Sequence, residues 1–401
     1  MKPIMKIQDL LMISVIVIGL LTPLSLYHCP TSSEPIIDSL QYDTSDQIDD
    51  HMREYMQQGH IPGLSACIIK KDTIVWQRQY GYSNYYLHRN VTEDTIFLAA
   101  SLTKTVTATA IMQLWEEDYF ELDDDVNDYL PFPLRNPHYP DESITFRMLL
   151  SHHSSLAIGE NNSVYLFFSL LGFNEPLLRS CLLPSGLLYQ SNIWLQSPPG
   201  ETLEYSSMGY LLLQYLVELI SQQSFEDYCT EHILTPLHMH NTSFYVQDYY
   251  KYDLARPYLW VFDQYIPLVH YEIKYSGVGG LRTTISDLSH YLIAHMNEGV
   301  YKGHHILNKE TIDLIRTIQY PWQNQTTWYS YGLGWRVSVF NESYSIGHVG
   351  AMPGVANFMT YQPARDVGFI LFTNQYPILY GYDFMSWINI LLLLYEKSAE
   401  Y

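Results

Sequence analysis

The order of patterns along the 401-residue chain predicts an α+β fold. One antiparallel sheet is assembled from both ends of the chain, flanked by N- and C-terminal helices, with a helical region inserted between its halves. Three observations carry this expectation. "LSACIIK" and "TIVWQRQYGYS" flank the dipeptide "KD" and read as a β-hairpin near the N-terminal end. The C-terminal quarter returns to short strands, "YGLGWRVSVF", "YSIGHVG", "ANFMTYQPA" and "DVGFILFTNQ". From Ile144 to about Ile273 the text is helical or loop-like, with long Tyr-rich connections.

Taken in order, residues 1–28 form a membrane anchor or signal segment. Behind Lys2 and Lys6, Leu10 to Leu26 runs seventeen residues without a charge. That is just long enough to span a bilayer, and "SLYHCP" offers no small-x-small cleavage site. The expectation is an uncleaved anchor, with secretion after cleavage as the alternative. Lysines before the segment and "DSLQYDTSDQIDD" after it put the N-terminus inside and the body outside the cytoplasm. Cys29 lacks the small neighbours of a lipid-anchoring site. Residues 29–44 read as a linker and residues 45–401 as the folded domain. Ser45 to Gln58 has helical periodicity closed by "GHIPG". An Ala- and Thr-rich helix follows Ser101, then the acidic "EEDYFELDDDVNDYLP", a solvated loop without the glycine spacing of a calcium site. "YLLLQYLVELISQQSFEDYCTEHIL" and "ISDLSHYLIAHMNEG" read as helices, and Phe384 to Tyr395, too short to span, as a buried final helix.

The chain carries 42 Asp plus Glu against 21 Lys plus Arg, a formal charge of −21 that repels phosphate backbones and excludes nucleic-acid partners. Four cysteines are too few for a disulfide framework, although Cys181 and Cys229 could pair in an oxidising space. Five sequons begin at Asn90, Asn161, Asn241, Asn324 and Asn341.

Chemistry enters at "SLTK". Residues three apart share a helix face, so Ser101 and Lys104 point the same way. A serine hydroxyl is a poor nucleophile until a neighbour takes its proton, and a lysine of lowered pKa can do so. The pair is weak evidence alone, because S-x-x-K arises by chance. It gains weight from "PPGETLEYSSMGYLLL", a turn before Tyr205 and a helix, and from "YSIGHVGAMPG", a strand ending in His348-Val349-Gly350.

With these in place the chain resembles the serine β-lactamase and penicillin-binding-protein-like superfamily, in its class C β-lactamase, D-alanyl-D-alanine carboxypeptidase and esterase branch. The likeness runs from about Asp46 to Leu394 through "IPGLSACIIKKD", "ITFRMLLSHHSSL", "PLHMHNTSF", "GVGGLRTTISDL" and "YGLGWRV" besides the three motifs. It implies the β-lactamase/transpeptidase-like fold and an acyl-enzyme serine hydrolase without metal or organic cofactor. Ser101 would be the nucleophile, Lys104 and Tyr205 its proton-transfer partners, and the backbone N–H groups of Ser101 and Ala351 the oxyanion hole. Ser207, His348, Val349 and Gly350 would contact a small-molecule or peptide substrate with a carbonyl group. Ser207 stands where many β-lactamases carry Asn and His348 where they carry Lys, which favours an ester first, a D-amino-acid amide or peptide second and a β-lactam third. "HHSSL" lacks the glycine usual after its serine; His152 and His153 are expected to hydrogen-bond structurally. His238 and His240 belong to no complete ligand set. The rival is an inactive membrane-anchored binding or scaffold protein of the same fold. Neither G-x-S-x-G nor H-E-x-x-H occurs, which removes the commonest other hydrolase mechanisms.

Overall fold

The computed structural model describes residues 45–157, 175–246, 253–270, 273, 276–320, 329–340, 343–376 and 382–401. The apolar segment Leu10–Leu26, the linker, Cys29 and the sequons at Asn161, Asn324 and Asn341 lie outside the described residues.

Helix α1 (Ser45–Gln58) leads into strands β1 (Gly63–Lys70), β2 (Thr73–Asn84) and β3 (Arg89–Asn90). Helices α2 (Thr103–Glu116), α3 (Ser207–Ser221) and α4 (Ile285–Met296) follow, then β4 (Tyr329–Tyr331), β5 (Arg336–Phe340), β6 (Ser343–Met352), β7 (Val355–Gln362), β8 (Val367–Thr373) and helix α5 (Tyr382–Lys397). The eight strands form one antiparallel sheet in the order β4-β5-β6-β7-β8-β1-β2-β3. The two chain ends meet in its middle, where Cys67 of β1 stands opposite Ile370 of β8. The expected sheet built from both ends is the one found.

Because successive side chains of a strand point to opposite faces, β1 feeds two cores at once. Leu64, Ala66 and Ile68 join α1 and α5 through Ile48, Met52, Met56, Trp387 and Leu391. Cys67 and Ile69 face the larger core, with α2, α3 and α4. α1 forms because Ile48, Met52 and Met56 recur every fourth residue and make one buried stripe. α2 has no such stripe: every residue from Thr103 to Met112 is buried. It is the central rod of the molecule, and its Thr side chains satisfy themselves locally, as Thr105 Oγ1 does on the Leu102 carbonyl at 2.8 Å.

Two expected elements are broken. The run read as one helix from Tyr210 to Leu234 stops at Ser221, where Gln222 takes a left-handed φ of 59°, and restarts at Phe225 with Ser224 as its cap. "YGLGWRVSVF" is two strands, not one, joined by a turn over Gly332–Trp335. Gly334 has φ 81°, and a Cβ there would lie 2.2 Å from the Ala108 side chain of α2, so the turn rests directly on the rod.

The acidic loop is tied down: Asp123 pairs with Arg147 at 2.7 Å, and Asp125 pairs with Arg135. Cys67, Cys181 and Cys229 are buried free thiols, so the pairing of Cys181 with Cys229 is not formed. Among the described residues no helix is long and apolar enough to cross a membrane.

Candidate active site

Ser101 sits where a short two-stranded ribbon, separate from the main sheet, hands the chain to α2. Phe97–Leu98 pairs with Arg282–Thr283, and the Ala99 N–H donates to the Leu281 carbonyl at 2.8 Å. Ala100 then turns the chain with φ 53°, a conformation that costs ~1 kcal/mol or more for a residue with a Cβ. A 3₁₀ turn, Ala100–Leu102, presents Ser101 at the N-terminal end of α2. Thr103 locks the turn: its hydroxyl donates to the Ala100 carbonyl at 2.7 Å and accepts the Leu281 N–H at 3.2 Å. The helix end also offers partial positive charge to an anion formed at the serine.

Lys104, one helical turn on, is fully buried. Its Nζ lies 3.0 Å from Ser101 Oγ and donates to the Val278 carbonyl at 2.9 Å. Burial disfavours the ammonium and lowers its pKa to about 7. Val278 is held in place by its own neighbours. The Gly277 N–H donates to Gln214 Oε1 at 2.9 Å, and Thr107 donates to the Gly277 carbonyl at 2.5 Å.

Tyr205 precedes α3, with its ring 5.2 Å from Lys104 Nζ, and the Tyr210 ring lies 5.9 Å from the same atom. Ser206 caps α3 by accepting the Gly209 N–H at 3.2 Å, which fixes the backbone just after Tyr205. Its own N–H donates to His152 Nδ1 at 3.1 Å. That bond requires the neutral imidazole with its proton on Nε2. Burial first, then the nearby His348 and Lys104, push the His152 pKa well down and keep it neutral. The His152 ring packs 4.5 Å from Tyr205 and 4.5 Å from Tyr331, forming the wall behind Tyr205. His153 donates from Nδ1 to the Ser151 carbonyl at 2.8 Å. Both histidines thus make the structural hydrogen bonds expected of them, and His152 also positions Tyr205.

His348 lies on β6, its ring 6.0 Å from Tyr205 and 6.0 Å from Tyr331. Nδ1–H donates to the Val349 carbonyl at 2.7 Å, leaving the Nε2 lone pair buried without a partner. Burial lowers its pKa to about 3, so the imidazole is neutral at ordinary pH. β6 runs hard against the Ser101 turn: a Cβ on Gly350 would lie 2.2 Å from the Ala99 carbonyl oxygen. Only glycine permits that approach, which brings the backbone of Gly350 and Ala351 alongside the serine turn. Asn357, opposite Gly350, stitches the layers by donating to the Leu98 carbonyl at 2.8 Å.

The structure therefore gathers Ser101, Lys104, Tyr205 and His348 into one cluster, with Val349, Gly350 and Ala351 on the strand of His348 and Ser207 as the first residue of α3. Sequence reasoning missed Val278, Tyr210, Tyr331 and Arg336. The glycines of "GVGG" and the turn in "YGLGW" were the available signals for Val278 and Tyr331. His238 and His240 sit with ring centres 5.8 Å apart, away from this cluster. Among the described residues no group of three or more His, Cys, Asp or Glu forms a metal site.

Comparison with known proteins bears on the family and the fold. The solved structures similar to the chain include an octameric penicillin-binding protein homologue from Pyrococcus abyssi, with TM-score 0.70 and 27% identity over 87% of this chain and 77% of that one. They also include a class C β-lactamase, with TM-score 0.69 and 21% identity over 88% of this chain and 95% of that one; at that identity it speaks for the fold alone. In sequence the chain is 27% identical to the protein flp of Staphylococcus aureus (strain COL) over 339 residues, which is 84% of this chain and 64% of that protein. It is 29% identical to beta-lactamase-like protein 2 of Dictyostelium discoideum over 68% of this chain and 50% of that protein. The chain thus spans less than two thirds of the length of these curated relatives. The family model described as Beta-lactamase matches residues 48–379, from α1 to just beyond β8. With the fold, the colinear motifs and that match in agreement, the chain belongs to the beta-lactamase family, within the serine β-lactamase and penicillin-binding-protein-like superfamily.

Proposed function

We propose that the chain is a serine hydrolase working through an acyl-enzyme on Ser101. One observation carries this reading: a fully buried Lys104, its pKa near 7, sits 3.0 Å from the serine hydroxyl and is oriented by the Val278 carbonyl. A substrate carbonyl carbon is attacked by Ser101 Oγ as Lys104 Nζ takes the hydroxyl proton. The oxyanion is received by the backbone N–H groups of Ser101 and Ala351, each worth on the order of 10²–10³ in rate. Collapse breaks the bond to the leaving group, which takes up a proton returned through Lys104 and Tyr205. Water, activated by the same pair, then releases the acyl group.

An ester is the first substrate class in this reading. His348 is neutral where a lysine would hold a substrate carboxylate, which supports uncharged acyl groups. A second reading, a D-amino-acid peptide or β-lactam bearing a carboxylate, has one observation in its favour. Arg336 stands opposite Gly347 on the β5–β6 ladder, one residue from His348; its guanidinium is buried over the Tyr329 ring at 4.0 Å with all three nitrogens unpartnered. Such a group gains most from an anion.

Steady-state turnover of a nitrophenyl ester, a D-alanyl-D-alanine peptide and a cephalosporin, beside Ser101→Ala, tests the reading. Ester turnover abolished in the Ala variant is the expected result. Preference for the carboxylate-bearing substrates, lost in Arg336→Met, would establish the second reading. Residual turnover equal in both proteins, on folded protein, would leave the scaffold rival standing.

A further inference from the structure

A second cleft, of about 370 Å³, opens at the far end of α2 from Ser101, and the chemistry proposed for the active site does not use it. Its lining is rich in acceptors. α2 ends in Glu116, followed by Glu117 and Asp118, and has no basic residue in its last turn. A helix places its negative pole there and normally recruits Lys, Arg or His, so this end is charged against its own dipole. Glu231 adds a further carboxylate to the lining. Glu116 is already occupied, accepting the Asn308 N–H at 2.7 Å, while Glu117 and Glu231 are exposed.

Two neutral groups point the same way, independently of charge. Tyr228 is only 3% exposed, and its buried hydroxyl has no hydrogen-bond partner. Leaving such a group unpaired is costly in a folded protein and calls for a partner. Gln113 spends both amide hydrogens, on the His232 carbonyl at 3.1 Å and the Ile306 carbonyl at 2.9 Å, and its Oε1 is likewise buried and unpartnered. The wall also carries an aromatic face, since the His232 ring stacks on Tyr228 at 4.4 Å.

We propose that this cleft binds a small organic cation, an ammonium or guanidinium on a short alkyl stem. Its N–H groups donate to Gln113 Oε1, Tyr228 Oη and the carboxylates of Glu117 and Glu231. Its stem lies against Ile306 and the stacked Tyr228–His232 rings, of which the tyrosine face attracts cations. An inorganic divalent ion is not the ligand, because no group of three metal-ligating side chains converges among the described residues.

Isothermal titration calorimetry of the full chain with agmatine, with putrescine and with magnesium chloride, at matched ionic strength, tests the proposal. The variants are Tyr228→Phe, which keeps the ring and its packing, and the surface double variant Glu117→Gln/Glu231→Gln. Thermal melts confirm that both are folded. Saturable one-to-one binding of agmatine or putrescine is expected, weakened about tenfold or more in each variant. No saturable binding of either amine overturns the proposal. So does binding unchanged in Tyr228→Phe and the double variant, which would mean diffuse attraction to an acidic protein. Magnesium binding at least as tightly, with the same sensitivity to both variants, would replace it with a metal site.

Discussion

The pH profile of acylation follows from the burial of Lys104 and can be worked out before it is measured. An ordinary lysine titrates near 10.4, so at pH 7 roughly one amine in a few thousand is neutral. With the pKa lowered to about 7, about half of Lys104 is neutral at that pH, a gain on the order of 10³ in the fraction able to accept the Ser101 proton. The acylation rate, followed by stopped flow with a nitrophenyl ester and corrected with Ser101→Ala, should rise about tenfold per pH unit below pH 6 and level off above about pH 8. His348, with its pKa near 3, and His152, held neutral by burial, should add no inflection between pH 5 and 8. Stability carries the same signature. Between pH 7 and 10 the unfolded chain binds a proton on this lysine that the folded chain does not, so stability rises with pH across that window. Three pH units correspond to about 4 kcal/mol at most, which Lys104→Met should remove from the pH dependence. An acylation rate that keeps climbing through pH 9 and 10 with no plateau would refute the reasoning, since it would mean that burial has not shifted the lysine.

Other outcomes follow from the packing. Gly350→Ala places a methyl 2.2 Å from the Ala99 carbonyl, so β6 must retreat from the serine turn; acylation should fall on the order of 10²-fold while secondary structure by circular dichroism persists. Trp387→Ala empties the core between α5 and the sheet and should cost about 3–5 kcal/mol in urea denaturation without changing the acylation rate of folded protein. His348→Lys puts a cation beside the pocket; KM for a carboxylate-bearing substrate should fall about tenfold, and the acylation limb should move to lower pH.

Much of this was legible in the sequence because it rests on local pattern. The near-continuous apolar runs in "LSACIIK" and "DVGFILFTNQ" mark strands buried on both faces, and the four-residue recurrence of Ile48, Met52 and Met56 marks α1. Ser101 and Lys104 meet because a helical turn brings i and i+3 together. The parts that escaped depend on distant partners. Val278 finds Lys104 only across 174 residues of sequence, so no window contains both. The helix after Ser101 was expected, but its burial at every position from Thr103 to Met112 was not, since that depends on the elements packed around it. The break at Gln222 is set by a single left-handed residue inside an otherwise continuous helical pattern. Arg336 reads in sequence as an ordinary charged strand residue, and only the fold reveals it as an unpaired cation beside His348. The helical insertion hid most because its packing, not its periodicity, decides what faces the pocket.

The central claim is that Ser101 becomes acylated. Intact mass spectrometry of the protein after exposure to a fluorophosphonate, a nitrophenyl ester and a penicillin, beside Ser101→Ala, reads it directly. The account predicts one adduct per chain with at least one probe, absent from the Ala variant. No adduct with any probe on folded protein, or an adduct that survives the loss of Ser101, would contradict it.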